Sequence, residues 1–147
     1  HETEIKAKVE KALTFLLPPP FRSQLFQFLS EEKMQGHYQN TIRRLRLRIK
    51  AKLAEECFVY LLTRLSQAER ERLIREFERR FDEKALEFYL RLDKQRLATG
   101  IPTLSDGLDT VRIMFKTGGF KGPQRRKQSY QFFLAQLQSP MQDQRLT

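Results

Sequence analysis

The apolar positions of the chain recur mostly at helical spacing, and prolines and glycines divide them into segments. Between Thr3 and Leu17, Ile5, Val9, Ala12, Leu13 and Leu16 follow the three- and four-residue intervals of an amphipathic helix. Pro18-Pro19-Pro20 ends it, because proline lacks the N–H a helix needs and restricts the residue before it. A short helix is predicted over 21–29, with Leu25, Phe26 and Leu29 inward. A long helix is predicted over 31–65. Its first half carries two patterns at once. Arg46 to Leu53 alternates polar and apolar residues as a strand does, whereas Ile42, Leu45, Ile49, Leu53, Glu56 and Tyr60 form a stripe at 100° per residue. No turn signal bounds the alternation, no partner strand is evident, and Ala-Lys-Leu-Ala-Glu-Glu continues it with good helix formers. The helical reading follows, and it leaves Leu47 pointing away from the stripe.

Ser66 and Glu69 have the spacing of a capping box, in which each side chain satisfies a free backbone N–H at a helix start. The helix they begin is predicted to run to Ala98, before Gly100. Glu71/Arg75, Arg72/Glu76 and Glu76/Arg80 form i,i+4 pairs along it, and Leu73, Phe77, Phe81, Phe88 and Leu92 form its buried face. Thr103 and Asp106 are placed to cap a further helix over 104–116, ended by Gly118-Gly119. A short glycine-containing connection leads to a last helix over 124–138, with Tyr130, Phe133, Leu134 and Leu137 inward. Pro140 stops it, and 139–147 reads as a frayed tail. The prediction is an all-α chain, 1–147 as one domain, folded as a single helical bundle of five or six helices. Residues 1–30 would form a helical hairpin around the triple proline. No internal repeat or low-complexity stretch occurs.

Composition adds little to this fold and much to its surface. Of 147 residues, 39% are apolar and 31% charged, which suits a modest core under charged faces. Twelve of the 16 aromatic residues are Phe and none is Trp, which points to packing. The net charge is +10. Residues 36–53 hold six basic groups and no acid, and so do residues 111–130. The rest of the chain has 16 basic and 18 acidic residues, so these two segments account for the whole excess. Charge concentrated in this way is a footprint for a polyanion.

The first segment offers Arg43, Arg44, Arg46, Arg48, Lys50 and Lys52. On a helix, Arg44/Arg48 and Arg48/Lys52 are like-charge i,i+4 neighbours that repel, with no acid in reach of the arginines. A bound phosphate backbone would relieve them. The second segment offers Arg112, Lys116, Lys121, Arg125, Arg126 and Lys127 around a glycine-rich turn. There the start of the last helix presents N–H groups and a positive dipole end, and Phe120 can stack on a base. No Gly-Lys-Ser/Thr follows the glycines, so this is not a nucleotide-hydrolysing loop.

Catalytic material is scarce. The histidines, His1 and His37, have no metal-spaced partner. Cys57, beside Phe58 and Tyr60, reads as a small buried apolar residue. Asp106 and Asp109 lie three apart, but capping gives Asp106 a simpler role. The sequence calls for no enzyme activity, no cofactor and no metal. One cysteine precludes an intrachain disulfide and suits a reducing compartment. No run of ~18 apolar residues can span a membrane. His-Glu-Thr-Glu lacks a secretory signal pattern and reads as a trimmed or internal start. The expected setting is the cytoplasm, with no membrane partner.

Three stretches carry a family resemblance: Phe77-Glu-Arg-Arg-Phe81, Asp93-Lys-Gln-Arg-Leu-Ala98 and the segment from Leu104 to Phe115. Together they resemble the small subunit of a CRISPR effector complex, and in particular the C-terminal helical region of the large subunit of type I-D Cascade. The resemblance implies a non-catalytic scaffold, present with other subunits and in several copies. It also implies backbone contacts to the guide–target duplex or the displaced strand. Three other readings stand beside it. One is a helix-turn-helix DNA-binding regulator with 124–130 as recognition helix. Another is a protein that binds structured RNA, and the third is a helical protein adaptor. The sequence leaves open RNA against DNA, and single against double strand.

Overall fold

The computed structural model describes residues 6–35, 41–117 and 120–138. Helix α1 spans Lys6–Thr14. A 3-10 turn over Pro19–Gln24 and the one-turn α2, Leu25–Phe28, follow the prolines. Arg22 ties this turn down. Its guanidinium donates to the Leu17 carbonyl at 3.1 Å and to the Tyr60 hydroxyl at 2.9 Å.

The chain is not all-α. Strands β1 (Leu29–Gln35) and β2 (Thr41–Leu47) form an antiparallel pair with Leu29 opposite Leu47 and Glu31 opposite Leu45. The predicted 31–65 helix therefore begins only at Ala51, as α3, Ala51–Arg64. Period two wins over period 3.6 because it brings Leu47 inward. Leu45, Leu47 and Ile49 all pack against a cluster of Leu13, Leu17, Leu25 and Cys57. The partner strand, Leu-Ser-Glu-Glu-Lys-Met-Gln, is too polar to announce itself as a strand.

The capping box at Ser66–Glu69 is present and opens α4, Gln67–Arg75. The second carboxylate oxygen of Glu69 accepts from the Leu104 N–H at 2.7 Å, so the cap also anchors a distant loop. The predicted helix does not run on to Ala98. It breaks at Glu76 into α5 (Phe77–Arg80), β3 (Phe81–Asp82), β4 (Glu87–Asp93) and α6 (Lys94–Ala98). Asp82 starts the turn between β3 and β4 by accepting from the N–H groups of Lys84 and Ala85. Phe88 and Leu92 suit a helix and a strand equally. Leu90 decides between them: in a helix it would face away from both, yet all three side chains are fully buried. Asp93 caps α6, and Gly100, at φ +92°, ends that helix against the ring of Phe15.

The predicted 104–116 helix is β5, Thr110–Lys116, paired antiparallel with β4. Asp106 caps nothing there and forms an ion pair with Arg72 instead. The sheet order is β3-β4-β5. Phe88, Leu90 and Leu92, with Val111, Ile113 and Phe115, face helices α3, α5 and α7 (Arg125–Gln138). Phe58 of α3 meets Phe115 at 4.4 Å between ring centroids, Phe77 of α5 stacks on Phe88 at 5.1 Å, and Phe133 of α7 lies 5.5 Å from Phe88. The last helix matches its prediction, with Phe133 and Leu137 buried. Phe26, expected inward, is 71% exposed. The helix-turn-helix alternative fails on the element order, because a strand and not a helix precedes α7. The predicted tail, 139–147, lies outside the described residues.

Glu76, at the break between α4 and α5, gathers three arginines. Arg80, buried, donates to it at 2.7 and 3.0 Å and Arg72 at 3.2 Å, and Arg79 forms an ion pair with it at 3.0 Å. Burial alone would raise the Glu76 carboxyl, but the hydrogen bonds from Arg80 and Arg72 outweigh it and hold the pKa at about 2. The folded value lies below the ordinary 4.5, so the stabilisation is complete above pH 4.5 and disappears as pH falls through 2. Glu76→Gln should cost about 2 kcal/mol at pH 7, because it leaves the buried Arg80 charge with only the more distant Asp106 carboxylate, at 4.0 Å. Urea unfolding should show the gap between wild type and variant closing between pH 4.5 and 2. A gap that stays constant with pH would show that the cluster holds by packing rather than charge.

Candidate nucleic-acid interface

The twelve basic residues singled out in the sequence occupy strands, a loop and two helix starts. Arg43 and Arg44 are in β2, opposite Lys33 and Glu32. Arg46, opposite Ser30, approaches the Glu32 carboxylate at 3.8 Å. The first segment is thus a strand with acids across from it. The helical like-charge repulsion expected of it does not arise, and part of its charge is neutralised by β1. Arg48, Lys50 and Lys52 are exposed on the link into α3 and on its first turn. Among the described residues they form no ion pair.

The second segment divides between the sheet and α7. Arg112 and Lys116 alternate with the buried-side residues of β5 and are exposed. Lys121, Arg125, Arg126 and Lys127 are exposed around the start of α7. Gly122, at φ +85°, makes the turn that a side chain would strain, and with Pro123, Arg125 and Arg126 it lines an open groove of about 200 Å³. Among the described residues none of Lys116, Lys121, Arg125, Arg126 and Lys127 forms an ion pair. Phe120 is partly buried, with its ring 6.1 Å from Phe132, so packing already occupies part of its surface.

Both α3 and α7 lack an acid in the first turn and carry cations there. That arrangement opposes the helix dipole, at a cost of about 0.3–1 kcal/mol per charge near the end. A phosphate at either place would be drawn by side chains and dipole together.

Strand β5 links the two segments. Val111 packs on the hairpin cluster, and the Thr117 hydroxyl meets that of Ser129 on α7 at 2.5 Å. Six residues of strand set these ends ~20 Å apart. Between them the sheet face turned away from the helices carries Tyr89, Arg91, Arg112, Met114 and Lys116. Tyr89, Arg91 and Met114 were not among the predicted site residues, because 87–93 and 104–116 both read as helix. The alternation from Glu87 to Asp93 was the signal that could have found them.

Among the described residues no three His, Cys, Asp or Glu converge as metal ligands, and no helix is long and apolar enough to cross a membrane. His37 lies outside the described residues. Cys57 is buried, and burial, then the charge of Glu56, push its thiol up to about 12.

A family model described as RNA binding matches residues 1–117. An uncharacterized protein of Methanocaldococcus jannaschii is 26% identical over 117 residues, covering 78% of this chain and 76% of that protein. A crystal structure from Archaeoglobus fulgidus, of the DUF54 family, superposes with a TM-score of 0.72 at 26% identity, over 93% of this chain and 91% of that one. A DUF54 protein from Methanothermobacter thermautotrophicus gives 0.65 at 22% identity, over 93% and 90%, a likeness of fold. These findings overturn the resemblance to a CRISPR effector small subunit. So does β5, because the third stretch that carried the resemblance is a loop and a strand, not a helix.

Cys57 should be inert towards a water-soluble disulfide reagent at pH 8 in the folded protein and react fully in denaturant, since only the thiolate attacks. Fast reaction in the folded state would contradict the burial of the thiol. Replacing Lys121, Arg125, Arg126 and Lys127 with Gln should not destabilise the fold and should raise unfolding free energy by about 0.3–1 kcal/mol for each charge removed from the first turn of α7, because each opposes the helix dipole.

Proposed function

The chain belongs to this RNA-binding family, and from that premise we propose that it is a non-catalytic protein that holds RNA by the phosphate backbone. The cations without ion-pair partners carry the reading. Arg48, Lys50 and Lys52 on one side, and Lys116, Lys121, Arg125, Arg126 and Lys127 on the other, are exposed among the described residues. Arg72 and Arg80, by contrast, are committed to Glu76. A surface that needed positive charge only for solubility would pair more of it. Arg46 adds to the first side, with Glu32 as a partial counterweight, and Arg43 and Arg44 belong to the same strand. Arg112 and Lys116 continue the second side along β5. Phosphate contacts of this kind position the RNA and carry no sequence information. The same reading sets the protein in the cytoplasm and requires no cofactor.

Salt titration tests it. If about six phosphates are neutralised, log K should fall against log salt with a slope of roughly −4 for single strands. RNAs of unrelated sequence should bind within a few-fold of one another. Replacing Lys121, Arg125, Arg126 and Lys127 with Gln should weaken binding uniformly and make the slope shallower by up to about 3. A flat salt response, or one sequence bound a thousandfold better than the rest, would reject backbone recognition. Unchanged RNA binding in charge variants of both segments would instead assign the patches to acidic protein partners.

A further inference from the structure

We propose that the exposed face of the β3-β4-β5 sheet is a base-stacking platform for unpaired RNA nucleotides, centred on Tyr89. The proposal rests on the RNA-binding reading and adds to it a second kind of contact, to bases rather than phosphates. Tyr89 is half-buried on β4, on the face opposite the helices, and its cross-strand neighbour on β5 is Met114, 58% exposed. A tyrosine ring beside an open thioether makes an apolar floor for a flat ring. The guanidinium of Arg112 lies 5.3 Å from the Tyr89 ring centroid and that of Arg80 lies 5.9 Å from it. Arg80 is buried and tied to Glu76, whereas Arg112 is exposed and can swing aside or stack in its own right.

Charge identifies the occupant. Arg91 stands directly opposite Arg112 across the two strands, both exposed. Like charges directly opposite destabilise a strand pair. Here they stand on one side of Tyr89 and Met114, and Lys116 lies on the other. The acids on this face are Glu87, opposite Lys116, and Asp93, whose carboxylate is engaged at the start of α6. The centre of the face is therefore an aromatic ring and a methionine, with the arginine pair on one side and the Glu87–Lys116 pair on the other. That is the chemistry of a strand whose phosphates run beside its exposed bases. A duplex hides its base faces in the stack, so only unpaired nucleotides fit.

The chain has no tryptophan, so Tyr89→Trp supplies a single fluorescent reporter at the proposed contact. An unpaired 12-nucleotide oligoribonucleotide should quench it at saturation, and an RNA hairpin duplex with the same number of phosphates should not. Tyr89→Leu should weaken binding of the oligoribonucleotide about five- to a hundred-fold, the loss of one stacked base, with an unchanged salt slope. Tyr89→Phe should stay within about threefold of wild type, as every aromatic ring offers a face. Thermal unfolding of each variant separates lost binding from lost folding. If Tyr89→Leu does not fold, the Tyr89→Trp quenching decides. Normal single-strand binding by folded Tyr89→Leu, or no quenching in Tyr89→Trp with RNA bound, would overturn the platform and leave the RNA reading intact. A wild-type protein that binds neither RNA would sink both.

Discussion

Everything exposed in this fold is arranged by one packing constraint: the aromatic helices cover a single face of the β3-β4-β5 sheet. Phe58, Phe77 and Phe133 bury the inward side of β4 and β5 through Phe88 and Phe115. Each such ring removes 150–250 Å² from water, roughly 4–6 kcal/mol at 25 cal/mol per Å² before entropy is charged against it. Strand pleating then leaves no freedom on the other side. With Phe88, Leu90 and Leu92 inward, Tyr89 and Arg91 must be outward, and with Val111, Ile113 and Phe115 inward, so must Arg112, Met114 and Lys116. A one-residue slip of β5 would bury Arg112 and Lys116 and expose Val111, Ile113 and Phe115, so the register that makes the core also fixes the basic face.

The arginines fall into two populations that the sequence does not distinguish. Arg72 and Arg80 hold the break between α4 and α5 through Glu76, and Arg80 is buried in doing so. A hydrogen-bonded cluster of this kind is costly to break, by about 2 kcal/mol if Glu76 goes, so these charges are unavailable to a ligand. The exposed cations of α7 and the α3 start contribute at most a fraction of that to the fold. Counting basic residues therefore overstates the interface. What matters is the remainder after Glu76, Glu32, Asp106 and Asp109 have taken their partners.

The parts of the fold legible in the sequence were those set by local chemistry. The Ser66 capping box, α1, α7, the burial of Cys57 and the two charge concentrations all rest on neighbours in the chain. The strands were missed because period two and period 3.6 share members: Phe88 with Leu92, and Val111 with Phe115, satisfy both. Leu90 and Leu47 were the residues that separated the readings, and each was apolar at the position where a helix would put solvent. The β1–β2 pairing was harder still. The apolar alternation lies in β2, while β1 is mostly polar and charged and gains its conformation from pairing with β2, which no period within β1 itself signals. The basic segments were found for a partly wrong reason, because β1 brings acids to Arg44 and Arg46 that sequence spacing places out of reach.

The spacing of the two charged regions bears on what kind of anion they suit. At physiological ionic strength a charge is screened beyond about 8 Å, and β5 holds the hairpin side and the α7 side ~20 Å apart. The two ends of the basic surface are therefore largely screened from one another, with Arg112 and Lys116 of β5 between them, and a mononucleotide or inorganic phosphate at one end gains little from the other. A polymer long enough to run along β5 engages both. Its second contact is then intramolecular, at an effective concentration set by the intervening chain, so two individually weak patches yield a firm grip. The advantage grows with the flexibility of the strand, because unpaired RNA can follow the twist of the sheet while a duplex of the same length must already have the right curvature. Charge distribution and sheet geometry thus favour the same ligand as the aromatic face does, through a separate physical route.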